Sequence, residues 1–101
     1  MEVVKMGDFT LEKILGPAEY GDKLGLYARV VVPPKAAVPY HQHVGDSESY
    51  YILSGEGEYS DNGVPRMVKA GDSTWTPDGS SHGLVNTGDT DLTFMALIIK
   101  S

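Results

Sequence analysis

The sequence predicts a single all-β domain, either a sandwich or a small barrel. Runs of β-branched and aromatic residues recur along the chain at spacings of roughly 8–12 residues. Twelve glycines and six prolines are scattered between those runs, as tight turns require. No stretch sustains the apolar period of a long helix. At 101 residues the chain has room for one hydrophobic core and not two.

The first ambiguous segment is residues 9–15, which read either as a short helix stopped by Gly16-Pro17 or as a strand reaching towards a partner subunit. Residues 26–32 are a strand of β-branched and aromatic side chains, ended by Pro33-Pro34, which cannot donate to a ladder. Further strands follow at residues 38–43, 48–53, 57–60, 66–68, 73–76, 82–86 and 92–99. The intervening Gly45-Asp46-Ser47, Gly55-Glu56, Asp61-Asn62-Gly63, Gly71-Asp72, Pro77-Asp78-Gly79 and Asn86-Thr87-Gly88-Asp89 supply turn residues. Asn62-Gly63 is the clearest hairpin signal among them.

Eight basic and fourteen acidic residues give a formal net charge of −6, which disfavours phosphate backbones and anionic membrane surfaces as partners. The chain has no cysteine, so disulfides, thiolate nucleophiles and cysteine-held metals are excluded. Residues 1–7 lack the basic and apolar regions of a secretion signal, and no apolar run is long enough to span a bilayer. A cytoplasmic protein is the expectation.

The chemistry concentrates on the three histidines. His41 and His43 stand two residues apart, which in an extended strand puts both imidazoles on one face. The reversal at residues 44–47 lets the strand from Glu48 pair back, bringing a carboxylate opposite them. His82, just beyond Pro77-Asp78-Gly79, is a candidate fourth ligand from a distant segment. A histidine pair alone is weak evidence, since most strand histidines lie on surfaces or hydrogen-bond within cores. Here all three fall into one pattern with a carboxylate.

Residues 41–55 read His-x-His-x4-Glu-x6-Gly, and residues 71–86 read Gly-x5-Pro-x-Gly-x2-His-x3-Asn. These runs resemble the two sequence motifs of the cupin superfamily, over roughly residues 26–99. The chain is similar in particular to small single-domain bacterial cupins likened to oxalate decarboxylases or sugar-phosphate isomerases. The first motif usually opens with a glycine where this chain has Lys35. The resemblance implies a double-stranded β-helix, or jelly roll, with His41, His43, Glu48 and His82 pointing inward around one divalent metal. Such a donor set suits Mn, Fe, Ni, Co, Cu or Zn, with iron or manganese the first expectation.

Counting parity from Glu48 turns Tyr50 and Ile52 inward and Tyr51 and Leu53 outward. Tyr50 is therefore the candidate substrate-binding residue, the plainer alternative being a core aromatic. Parity from His82 carries Leu84 and Asn86 inward, with Asn86 read as a turn residue bonded to its own backbone. Trp75 is expected in the core, at an interface or closing a pocket. Arg29 is expected in a surface ion pair, and Met67 and Met95 in packing. The turn acids, Asp46 and Asp78 among them, read as solvated.

The favoured function is a metal-dependent enzyme acting on a small carboxylate or carbonyl compound, as an oxidoreductase, decarboxylase or isomerase. The alternative is a non-catalytic module that holds an anionic small molecule on the metal. A homodimer is expected, with residues 1–25 at its interface, because a barrel this small has a high surface-to-volume ratio.

Overall fold

The computed structural model describes all 101 residues and contains ten strands and one short helix. The strands are β1 (Glu2–Met6), β2 (Phe9–Lys13), β3 (Leu24–Val32), β4 (Ala37–Gln42), β5 (Asp46–Ser54), β6 (Glu56–Asp61), β7 (Val64–Lys69), β8 (Ser73–Thr76), β9 (Ser81–Asn86) and β10 (Leu92–Lys100). The helix, α1, is Pro17–Tyr20. A six-stranded sheet runs β1-β2-β3-β10-β5-β8, and a four-stranded sheet runs β4-β9-β6-β7. Every pairing is antiparallel. The result is the expected all-β jelly roll, and no helix is long and apolar enough to cross a membrane.

Burial follows strand parity. Val30 and Val32 of β3, Tyr50 and Ile52 of β5, and Phe94 and Ala96 of β10 are buried between the sheets. Tyr59, Val68, Leu84 and Leu92 complete the core from the other strands. Asn86 is buried too, and its side chain does more than close a local turn. It accepts from the Gly88 N–H at 2.9 Å, as expected, but also donates to the carbonyls of Val32 at 2.9 Å and Thr90 at 2.8 Å. One amide thereby ties the ends of β3 and β9 to the loop that enters β10.

The ambiguous segment at residues 9–15 resolves as a strand. It pairs with β1 on one side and with β3 of its own chain on the other, so the N-terminal hairpin widens the large sheet and is not a separate arm. The cross-strand pair Glu12–Arg29 carries an ion pair at 2.6 Å on the outer face. Two packing expectations are corrected. Met67 is 57% exposed and Trp75 51% exposed, because both occupy the outward parity of strands at sheet edges, β7 and β8. Trp75 therefore neither closes a pocket nor joins the core.

The turn before β4 keeps its shape without the customary glycine. Lys35 adopts φ +68°, the left-handed region that costs an ordinary side chain about 1 kcal/mol. The Ala36 N–H still donates to the Pro33 carbonyl at 3.1 Å, and the Lys35 N–H to the Asn86 carbonyl at 3.3 Å. Lys35→Gly is therefore expected to raise the unfolding free energy by about 0.5 kcal/mol, after allowance for the extra freedom glycine gives the unfolded chain. Urea denaturation of the two proteins under one set of conditions checks the sign.

Candidate metal centre

The four sequence-predicted ligands come from three neighbouring strands and one turn. His41 lies in β4 directly across the ladder from His82 in β9. Glu48 lies in β5 of the opposite sheet. His43, one residue past β4, is held by the turn at residues 77–80: its N–H donates to the Ser80 carbonyl at 2.9 Å, and the Gly79 N–H donates to the His43 carbonyl at 2.7 Å. The Asp78 carboxylate accepts from the Gly45 N–H and from the Ser101 hydroxyl, contacts that hold its pKa below the ordinary value.

β4 is irregular where it must be. Its register with β9 shifts between Val38 and His41, around Pro39, which has no N–H to give a ladder. Across this stretch β9 supplies Gly83, where a Cβ would stand 3.0 Å from both Cα and N of Tyr40. Only glycine lets the two backbones approach so closely. The Pro39 carbonyl, free of the ladder, accepts a hydrogen bond from His41 Nδ1 at 2.7 Å.

The other two imidazoles are pinned in the same way. His43 Nδ1 donates to the Asp46 carboxylate at 2.7 Å. His82 Nδ1 meets the Tyr59 and Thr76 hydroxyls, each at 2.8 Å. With the Nδ1 atoms engaged, the three Nε2 atoms turn to a common centre, 3.1–3.2 Å from one another. Glu48 Oε1 stands 3.0 Å from His43 Nε2, 2.9 Å from His82 Nε2 and 3.9 Å from His41 Nε2. His43, Glu48 and His82 are buried, while His41 sits at the rim.

These separations fit a cation. Donors about 2.1 Å from one ion stand about 3.0 Å apart at a right angle and about 4.2 Å apart when opposed. Five of the six separations approach the first value and the His41–Glu48 distance approaches the second. Assigning the protons to Nδ1 leaves four lone pairs converging with none between them, an arrangement a positive ion relieves. Without an ion, imidazole protons shared with Oε1 take that part: burial pushes the Glu48 carboxyl up, but hydrogen bonding to His41 and His82, aided by His43, outweighs it and holds its pKa down at about 2. The same contact raises His41 above its ordinary value, against the opposing effect of its own partial burial.

Tyr50 is 2% exposed; its ring stacks on His82 at 4.8 Å and tilts against Phe94 at 4.3 Å. Its hydroxyl lies 3.4 Å from His82 Nε2. Burial, reinforced by the Glu48 charge, raises the phenol well above its ordinary value, so it stays a protonated donor. Beside it opens a cavity of about 330 Å³ whose lining includes His41, Glu48 and Tyr50.

Three supports escaped the sequence reading. Asp46, which reads as a solvated turn acid, orients His43. Its alternation with Glu48 and Tyr50 on β5 was the available signal. Tyr59 and Thr76, from two different sheets, reach His82 only through the packing of those sheets, which no local pattern records.

Fold and site together define a small jelly roll with a converging set of three histidines and one glutamate, all buried but His41. The chain belongs to the cupin family: the family's model, described as "Cupin domain", matches residues 28–98. It is 44% identical over 93 residues to the "Oxalate-binding protein" of Thermotoga maritima, covering 92% of this chain and 77% of that one. It is 38% identical over 79 residues to the "Dimethylsulfoniopropionate lyase DddQ" of Ruegeria pomeroyi, across 77% of this chain but only 37% of the lyase. Among solved structures, a predicted oxalate decarboxylase from Thermotoga maritima superposes with a TM-score of 0.91 at 40% identity, covering 99% of this chain and 91% of that one.

Because the Glu48 carboxyl is held near 2 when folded against an ordinary 4.5, it stabilises the metal-free fold above pH 4.5, and that contribution is lost as the pH falls towards 2. Glu48→Gln is expected to flatten this acid limb. Chelator-treated samples unfolded in urea across the pH series will show it.

Proposed function

We propose that the chain binds one divalent metal ion through Nε2 of His41, His43 and His82 and Oε1 of Glu48, and holds a small carboxylate or carbonyl compound at that ion. The convergence of the four donor atoms beside the cavity carries this reading. A bound ion, held by His41, His43, Glu48 and His82, would supply a Lewis-acidic centre for substrate oxygens. Imidazole and carboxylate suit manganese or iron, and equally the later metals of the first row. The 44% identity to the oxalate-binding protein of Thermotoga maritima supports the ligand class.

The chain's own residues do the positioning. Asp46, Pro39, Tyr59 and Thr76 fix the imidazoles, and Tyr50 offers a hydroxyl proton to a ligand oxygen. Of the ionisable groups that line the cavity, Tyr50 is the one that does not belong to the donor set, which favours holding a ligand over turning it over. Turnover is the second reading, and it rests on the Tyr50 hydroxyl as proton donor, 3.4 Å from His82 Nε2.

His82 is fully buried and bonded to two hydroxyls, so His41 at the rim is the gentler probe. His41→Ala is expected to keep the fold and lower manganese affinity by at least tenfold, read by competition with a chromophoric chelator. A chelator should lower the melting temperature of the metal-loaded protein. An unchanged melting temperature and no metal in elemental analysis would refute the site. Tyr50→Phe should retain metal and weaken oxalate or pyruvate binding. If turnover of a ligand is found, the same change should slow it by about 10²–10⁴-fold.

A further inference from the structure

We infer that the ligand is a monoanion with a chelating head and an apolar tail, such as a medium-chain 2-oxo acid, in preference to a bare dianion such as oxalate. This rests on the metal-binding reading above and deepens it. Two observations point the same way, one of charge and one of shape.

The charge is set by the donors. A divalent ion held by three neutral imidazoles and the Glu48 carboxylate leaves one net positive charge. A monoanion neutralises it, whereas a dianion leaves a net negative charge against the apolar wall of the cavity. No lysine or arginine lines the cavity to meet a second carboxylate. Arg29 points to the outer face, where Glu12 holds it.

The shape is set by the N-terminal hairpin. Of the thirteen residues around the cavity, ten are hydrophobic. Met6, Phe9 and Leu11 of the hairpin line the same cavity as Leu26 of β3, Ala96 and Ile98 of β10, Glu48 and Tyr50. Oxalate fills about the volume of two or three waters, roughly 60–90 Å³. Most of the cavity would then stand against apolar walls where water finds few partners. A chain of several carbons extending from the head fills that space and removes its own surface from water.

Titration of the manganese-loaded protein with 2-oxohexanoate, pyruvate and oxalate tests this by calorimetry, with bound manganese followed by electron paramagnetic resonance. Each buried methylene contributes about a factor of four, so the three extra methylenes of 2-oxohexanoate should tighten binding about 30-fold over pyruvate after ordering costs. It should also bind more tightly than oxalate. Ala96 is 1% exposed and lines the tail space. Ala96→Leu should cut 2-oxohexanoate affinity at least tenfold and leave pyruvate within about twofold. Oxalate binding tightest, or pyruvate matching 2-oxohexanoate, overturns the inference while leaving the metal site intact. Manganese bound with no affinity for any of the three acids overturns it as well. Failure to bind manganese removes the metal-binding reading and this inference with it. Should Ala96→Leu not fold, the series on the unaltered protein still decides.

Discussion

Four electron-rich atoms held 3–4 Å apart repel one another unless a proton or a cation lies between them, and much of this fold is arranged to hold them there. Each imidazole has its outer nitrogen engaged, by a carbonyl, a carboxylate or a pair of hydroxyls. The rings therefore cannot rotate away to relieve the crowding without losing those bonds. Repulsion at the centre is balanced by hydrogen bonding at the periphery, and a cation would convert the one into attraction without disturbing the other.

That constraint explains irregularities that would otherwise look like defects. The register shift in β4 and the bare backbone at Gly83 free the Pro39 carbonyl for His41. The turns at residues 44–47 and 77–80 are bonded to each other through Asp78, so that His43, outside any strand, is as firmly placed as its partners within strands. Positive φ at Gly45 and Gly79 shapes both turns. The regular remainder of the two sheets supplies the rigidity against which these departures are held.

The donor set was legible in the sequence because its logic is local: a two-residue spacing, a reversal, a carboxylate at the right parity and a histidine after a proline-glycine turn. Parity likewise placed Tyr50, Ile52, Leu84 and Asn86 inward, as the structure has them. What lay beyond reach depends on packing between elements far apart in sequence. Tyr59 finds His82 because β6 pairs with β9, and Asn86 reaches Val32 across 54 positions. Met67 misled because its strand lies at the outer edge of the small sheet, where apolar side chains remain in solvent. The N-terminal hairpin was ambiguous because residues 9–15 carry no alternation strong enough to outweigh a helical reading. Pairing to β3 settled it.

The hairpin also separates two tasks that a single site usually entangles. The four converging side chains reside on β4, on β5, on β9 and in the turn after β4, whereas β1 and β2 contribute only to the cavity wall. Strands added at the margin of a sheet can change their inward residues without disturbing the pairs on the far side of β3. Such a layout lets the shape of the cavity drift while the cluster of three histidines and one glutamate stays fixed. One scaffold can in this way carry a series of cavities that differ in a few side chains of residues 2–13.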